Sequence, residues 1–157
     1  MGIRKFESLL QARDWAAEHR LREKAVCFVL RGSELLVFDH VPDDSGVQLP
    51  ARGVKAGETS DQAAIRELYE ESGLRLTSPA YLRSYEWQRQ LPDRNTRQVR
   101  HAYVFTAPID TPDCWTRPAD EHLFSFRWMP VSRLRLDWDM DAALPELHKY
   151  LLMQESR

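Results

Sequence analysis

A chain of 157 residues with 43% hydrophobic and 29% charged side chains suits one globular domain and argues against disorder. Twenty-two basic against 24 acidic side chains leave a formal charge of −2, which removes the general basic field expected of a duplex-DNA binder. Two cysteines, Cys27 and Cys114, are too few for a disulfide scaffold, and no apolar run reaches the roughly 18 residues of a membrane span. The N-terminal MGIRKFESLLQARDW has neither the apolar stretch nor the small-residue cleavage site of a signal peptide, so the expected location is the cytoplasm.

In chain order, residues 3–22 read as an amphipathic helix with Phe6, Leu9, Leu10 and Trp15 among charges. We expect it as an appendage packed on the main body rather than a dimerisation element, although a homodimer stays open. Two strand-like runs follow, Ala25–Arg31 and Glu34–Asp39, joined at Gly32-Ser33 as a hairpin; Cys27 sits in the first run as a small core residue. Residues 41–54 carry Pro42, Gly46, Pro50 and Gly53, which is loop chemistry around a short strand at Val47–Leu49. A helix then starts at Thr59, a good N-cap with Gln62 in capping-box position, and ends at Gly73. Strand patterns recur at Ala80–Arg89, Gln98–Thr106 and Phe124–Met129, with turn signals at Pro92–Asn95 and Pro108–Pro112. A last helix is expected over Asp141–Met153 with Pro145 in its first turns. Hairpins outnumber crossovers, so the class is α/β with a mixed sheet.

The chemistry concentrates in the helix after Thr59. At about 100° per residue, Glu71 falls about 40° from Glu67 and Glu70 about −60°, while Ile65, Leu68, Tyr69 and Ser72 share the opposite, apolar side. Glu67 and Glu71 are like charges at i,i+4, which an isolated helix does not favour; the cation four residues after Glu71, Arg75, lies past the helix end expected at Gly73. Such a face is either solvated or gathers hard divalent cations, which prefer oxygen ligands. Arg66 lies in another sector, from which it can pair with Glu70 or reach Glu58.

The segment from Arg52 to Leu74 resembles the Nudix box, G-x5-E-x7-R-E-U-x-E-E-x-G-U with U aliphatic. Glu58, Arg66, Glu67, Leu68, Glu70, Glu71, Gly73 and Leu74 match eight of the nine fixed positions; the ninth, the leading Gly, is Arg52. The resemblance implies a Nudix-like α/β/α sandwich over 1–157 with the N-terminal helix appended, and a box forming loop–helix–loop against the sheet. It implies Mg²⁺ or Mn²⁺ as cofactor and a small nucleotide substrate, a nucleoside diphosphate linked to another group X, with no membrane partner. Carried over by position, Glu67, Glu70 and Glu71 become metal ligands together with the Arg52 backbone carbonyl, and Glu58 with Arg66 supports the loop. The general base varies in the family; Glu70 is the first candidate here, with Glu121 and His122 the alternative.

The departure at Arg52 bears on activity rather than fold. Gly permits positive φ and close backbone approach, which Arg adopts only with strain, and Gly53 next to it offers to absorb part of the turn. Arg52 is equally suited to reading a substrate phosphate. Downstream, Arg83, Arg89, Arg94, Arg97 and Arg100 against Glu86 and Asp93 suggest a basic hairpin for phosphates, with Arg89 and Arg97 as contacts and Trp87 and Tyr85 as stacking surfaces for a base. Trp115 is a weaker stacking candidate in a loop. Residue 90 is Gln where ADP-ribose-specific members carry Pro, and the longer signature of NADH-cleaving members is not recognisable, so X stays open. Two other readings stand beside hydrolysis: a Nudix-like module that binds nucleotide without cleaving it, and an RNA 5′-end pyrophosphohydrolase.

Overall fold

The computed structural model describes residues 2–42, 45–119 and 122–155. The strands are β1 (Gly2–Lys5), β2 (Arg22–Arg31), β3 (Glu34–Val41), β4 (Ala51–Gly53), β5 (Ala80–Gln90), β6 (Asn95–Thr106), β7 (Cys114–Ala119) and β8 (His122–Pro130); the helices are α1 (Leu9–Glu18), α2 (Ser60–Ser72) and α3 (Leu144–Glu155). The strands form one sheet in the order β1-β5-β6-β2-β3-β8-β7, with β4 beside β2. Only the β2–β6 pairing is parallel among the described strands, which makes the sheet mixed as expected.

Alternation along β2 divides the core. Val26, Phe28 and Leu30 face α3 with Leu35, Val37, Val104 and Leu147, whereas Ala25, Cys27 and Val29 face α2 with Ala63, Ala64, Leu68 and Phe105. A strand buried on both faces reads as a continuous apolar run, which is what β2 is. Helices on both sides of the sheet give the α/β/α sandwich. β2 also serves two neighbours on one edge: Leu30 and Arg31 pair with β3, while Lys24–Val26 pair with β4. That split fixes β4, and with it the entry to α2, against the buried centre of the sheet.

The chain departs from expectation at both ends and twice between. The helix expected over 3–22 occupies Leu9–Glu18, capped by Ser8, which accepts from Gln11 N. Gly2–Lys5 instead forms an edge strand on β5, and Arg22 already belongs to β2. Val47–Leu49 makes a single bridge, Gln48 to Phe38, rather than a strand. Trp115, expected in a loop, lies instead on β7, which pairs with β8 over 114–119, and is stacked on Phe126 at 5.2 Å. The final helix begins at Leu144 with Pro145 in its first turn, where a missing N–H costs no hydrogen bond.

Candidate active site

Thr59 accepts from Gln62 N while the Gln62 side chain accepts from Thr59 N, so both ends of the expected capping box are made. The helix stops at Gly73, whose φ of 83° is the left-handed conformation that glycine adopts freely. Ahead of it, Arg66 draws the loop together. Its Nε donates to Glu58 Oε2 at 2.7 Å and its Nη2 to Glu58 Oε1 at 2.8 Å and to the Gly53 carbonyl at 3.1 Å. Glu58 Oε1 also accepts from Lys55 N. The Arg66 hydrogen bonds outweigh burial and hold the Glu58 carboxyl down at about 2. Arg13 on α1 donates to the Glu58 carbonyl, which ties the N-terminal element to the same loop.

Glu67 and Glu71 face the other way, into the protein. Glu67 is 0% exposed and Glu71 is 4% exposed, although the wheel alone leaves that side open to water. Glu71 Oε1 accepts from Ala51 N at 3.1 Å. Neither oxygen of Glu67 has a hydrogen-bond partner; Arg66 Nη2 stands 3.5 Å from Oε1, an ion-pair distance without a bond. Burial pushes the Glu67 carboxyl up to about 8, against the pull of Arg66, with a further push from Glu71, and with the Arg52 N–H and guanidinium opposing the rise. Burial likewise lifts Glu71 to about 7, opposed by Arg52, by the Ala51 N–H and by Lys24. A buried carboxylate pair short of donors is costly unless a cation meets it.

That deficit is the test of whether the residues fit a divalent ion. Mg²⁺ and Mn²⁺ take oxygen ligands, and Mg²⁺ in particular binds through one or two carboxylates while keeping several waters. Glu67, with two free oxygens beside Glu71, fits. Among the described residues no three acidic, His or Cys side chains close into a complete ligand set, because Glu70 is turned elsewhere. Its oxygens lie 3.3 Å from Arg66 Nη1, and Arg52 Nη1 is 3.7 Å from Oε2. Arg52 Nε is also 3.7 Å from Glu71 Oε1. Arg52 sits in regular pairing with Ala25, and neither Arg52 nor Gly53 takes a positive φ. The backbone strain expected of Arg at this position is therefore not there; the β4 geometry accepts an L side chain.

The other predicted contacts are scattered. Tyr85 is 0% and Trp87 3% exposed, packed in the core under α3, so neither offers a face to a base. Trp87 Nε1 donates to Asp139 Oδ2, and Arg100 lies 4.2 Å over its ring. The expected basic hairpin is paired off: Arg97 with Glu86 at 2.7 Å, Arg94 with Asp93, and Arg83 with Glu146 and the Phe6 carbonyl. Arg89 stacks 4.7 Å over Trp138 and lines an open cleft of about 520 Å³ with Leu136, Asp137 and Asp139. His122 opens β8 with its ring 5.3 Å from that of His40, and Glu121 lies outside the described residues. Sequence reasoning missed Lys24 on β2, paired with Gly53 of β4, whose pKa is lowered by burial and by Arg100 and Arg22 while Glu71 and Glu67 oppose that shift. A lone Lys ahead of an apolar run carries no motif, and only the β4 pairing brings it to the carboxylates.

Comparison with known proteins places this geometry. The family model described as NUDIX domain matches residues 20–151. The NAD-capped RNA hydrolase NudC of Yersinia pestis (strain Pestoides F) is 37% identical over 60 residues, 38% of this chain and 23% of that protein. The Yersinia pseudotuberculosis (serotype O:1b) protein of the same name gives the same values, so the match spans under a quarter of these relatives' length. Among solved structures, the MutT NUDIX hydrolase from Burkholderia pseudomallei superposes with a TM-score of 0.63 at 20% identity, covering 80% of this chain and 96% of that one. The NUDIX domain of Shewanella oneidensis NrtR, complexed with ADP ribose, gives 0.61 at 13%, covering 83% and 88%. These likenesses, at 20% identity and below, show a shared fold. The chain belongs to the NUDIX domain family.

Proposed function

We propose that this chain is a metal-dependent pyrophosphohydrolase that cleaves a nucleoside diphosphate linked to another group X. Mg²⁺ or Mn²⁺ would be held by Glu67 and Glu71, with Glu70 and the Arg52 backbone carbonyl as the remaining protein ligands. The observation that carries this reading is Glu67, wholly buried with both carboxylate oxygens lacking a donor, beside a second raised carboxylate. Bound divalent ions supply charge neutralisation at the pyrophosphate and lower the pKa of a coordinated water. The chain's own residues do the rest. The Arg66–Glu58 clamp holds the box loop, so that Glu67 and Glu71 keep their positions at negligible reorganisation. Glu70, partly exposed at the helix surface, is the candidate to take the proton of the attacking water, with Glu121 and His122 as the alternative.

The test is release of phosphate and nucleotide from nucleoside di- and triphosphates, nucleotide sugars and dinucleoside polyphosphates, with Mg²⁺, Mn²⁺ or chelator. Metal-dependent cleavage of any of these is expected, reduced at least about a hundredfold in Glu71→Gln. Cleavage that survives both chelator and Glu71→Gln would sink the assignment.

One observation favours the binding-only reading: the Arg52 guanidinium stands over Glu70 and Glu71, and the NrtR neighbour is a NUDIX domain solved with ADP ribose. That reading predicts nucleotide binding with silence across the whole panel. The RNA 5′-end reading draws on the name of the NudC relatives. It loses most of the basic hairpin as an argument, since Arg97, Arg94 and Arg83 are paired with Glu86, Asp93 and Glu146.

A further inference from the structure

Two arginines address the box carboxylates, and they do so differently. Arg66 is bonded at 2.7 and 2.8 Å to Glu58, which fixes it in the loop, and from there its Nη1 also meets the Glu70 oxygens at 3.3 Å. Arg52 reaches Glu70 and Glu71 only at 3.7 Å, beyond hydrogen-bond length, with its side chain 51% exposed. It is delivered there by a short, well-anchored strand: Cys27 N donates to the Pro50 carbonyl on one side of it, and Val54 N to the Glu23 carbonyl on the other. The guanidinium is therefore tethered at high local concentration over oxygens it does not bind tightly. Glu67, next to them, has two buried oxygens with no donor at bonding geometry, and the Arg52 N–H and charge only partly offset its burial.

We infer that Arg52 is a built-in competitor for the divalent cation: ion and guanidinium contend for the Glu70 and Glu71 oxygens, so metal loading requires the side chain to withdraw. This rests on the metal reading above. An ion carrying two charges and binding oxygens at 2.0–2.6 Å displaces a guanidinium held at ion-pair distance, but at the cost of a higher ion concentration. Half-exposed pairs are weak, so the handicap is about three- to tenfold in Kd, not a block. The residue thereby sets the ion concentration at which the site fills.

Mn²⁺ binding tests this without any turnover. Chelator-stripped wild type, Arg52→Gln, Arg52→Lys and Glu71→Gln would be titrated with Mn²⁺, reading the free ion by electron paramagnetic resonance, with circular dichroism to verify folding. Arg52→Gln should bind about three- to tenfold tighter than wild type, and Arg52→Lys, which keeps a tethered cation, should lie between them. Equal or weaker binding by Arg52→Gln overturns the inference. So does the same tightening in an Arg52→Gln/Glu71→Gln double variant, because the ion would then be held elsewhere. If neither wild type nor Arg52→Gln takes up Mn²⁺, the metal reading itself falls and the competition with it; Arg52→Gln equal to a binding wild type removes the competition alone.

Discussion

The Glu58–Arg66 pair and the Glu67–Glu71 pair lie on one loop and the helix that follows it, yet their electrostatics run in opposite directions. Glu58 is well supplied with donors, two from Arg66 and one from Lys55 N, and its carboxyl is held at about 2. Glu67 has none, and burial raises it to about 8 beside a partner at about 7. Both pairs are drawn from the same acidic stretch, so composition does not separate them. Where each side chain meets the protein does: Glu58 closes a loop at the surface, whereas Glu67 and Glu71 are pressed against β4 and the centre of the sheet. A carboxylate that is well supplied with donors supports structure, and one that is buried and unsatisfied is costly unless a cation meets it.

The comparison can be broken by pH. In the unfolded chain both glutamates titrate near 4.5; in the folded chain they titrate near 8 and 7. Below pH 4.5 both states are protonated and nothing is lost. As pH rises, the unfolded carboxylates ionise first, so the stability present at low pH is lost by about pH 8. In chelator, urea unfolding should show wild type falling between pH 5 and 8 by on the order of a few kcal/mol. Glu67→Gln should lose much of that slope, and Glu67→Gln/Glu71→Gln nearly all of it. The Glu58 pair works in the reverse sense: its stability is present above pH 4.5 and lost as pH falls toward 2. Arg66→Ala should therefore destabilise at neutral pH, by about 2 kcal/mol, since it removes charge-assisted bonds and leaves Glu58 and the Gly53 carbonyl short of donors. A variant as stable as wild type would mean that the loop is held by its backbone alone.

Much of the frame is legible in the residues. The helix that carries the carboxylates is announced by Thr59, Gln62 and Gly73, and its caps form as the local chemistry dictates. Local signals fail where partners are distant. GIRK at residues 2–5 has no alternation of its own and becomes a strand only because β5 offers an edge. Residues 114–119 hold Pro118 and polar side chains, and they pair because β8 lies alongside. For the site, motif spacing gives the glutamates and the Arg66–Glu58 pairing. It does not give the burial of Glu67, since a helical wheel says which residues share a face and not what that face meets. The arginines of 83–100 mislead for the same reason: Glu86 is near in sequence, but Glu146 and the Phe6 carbonyl lie far along the chain.

The central claim is that the Glu67–Glu71 pocket is built for a divalent cation. Thermal unfolding at pH 8, with chelator and with millimolar Mn²⁺, tests it most directly, because a ligand that binds the folded chain alone raises its melting temperature. The account predicts a rise of several degrees with Mn²⁺ in wild type and none in Glu67→Gln/Glu71→Gln, which should already melt higher than wild type in chelator. An equal Mn²⁺ response in both proteins, or a double variant less stable than wild type in chelator, would contradict it.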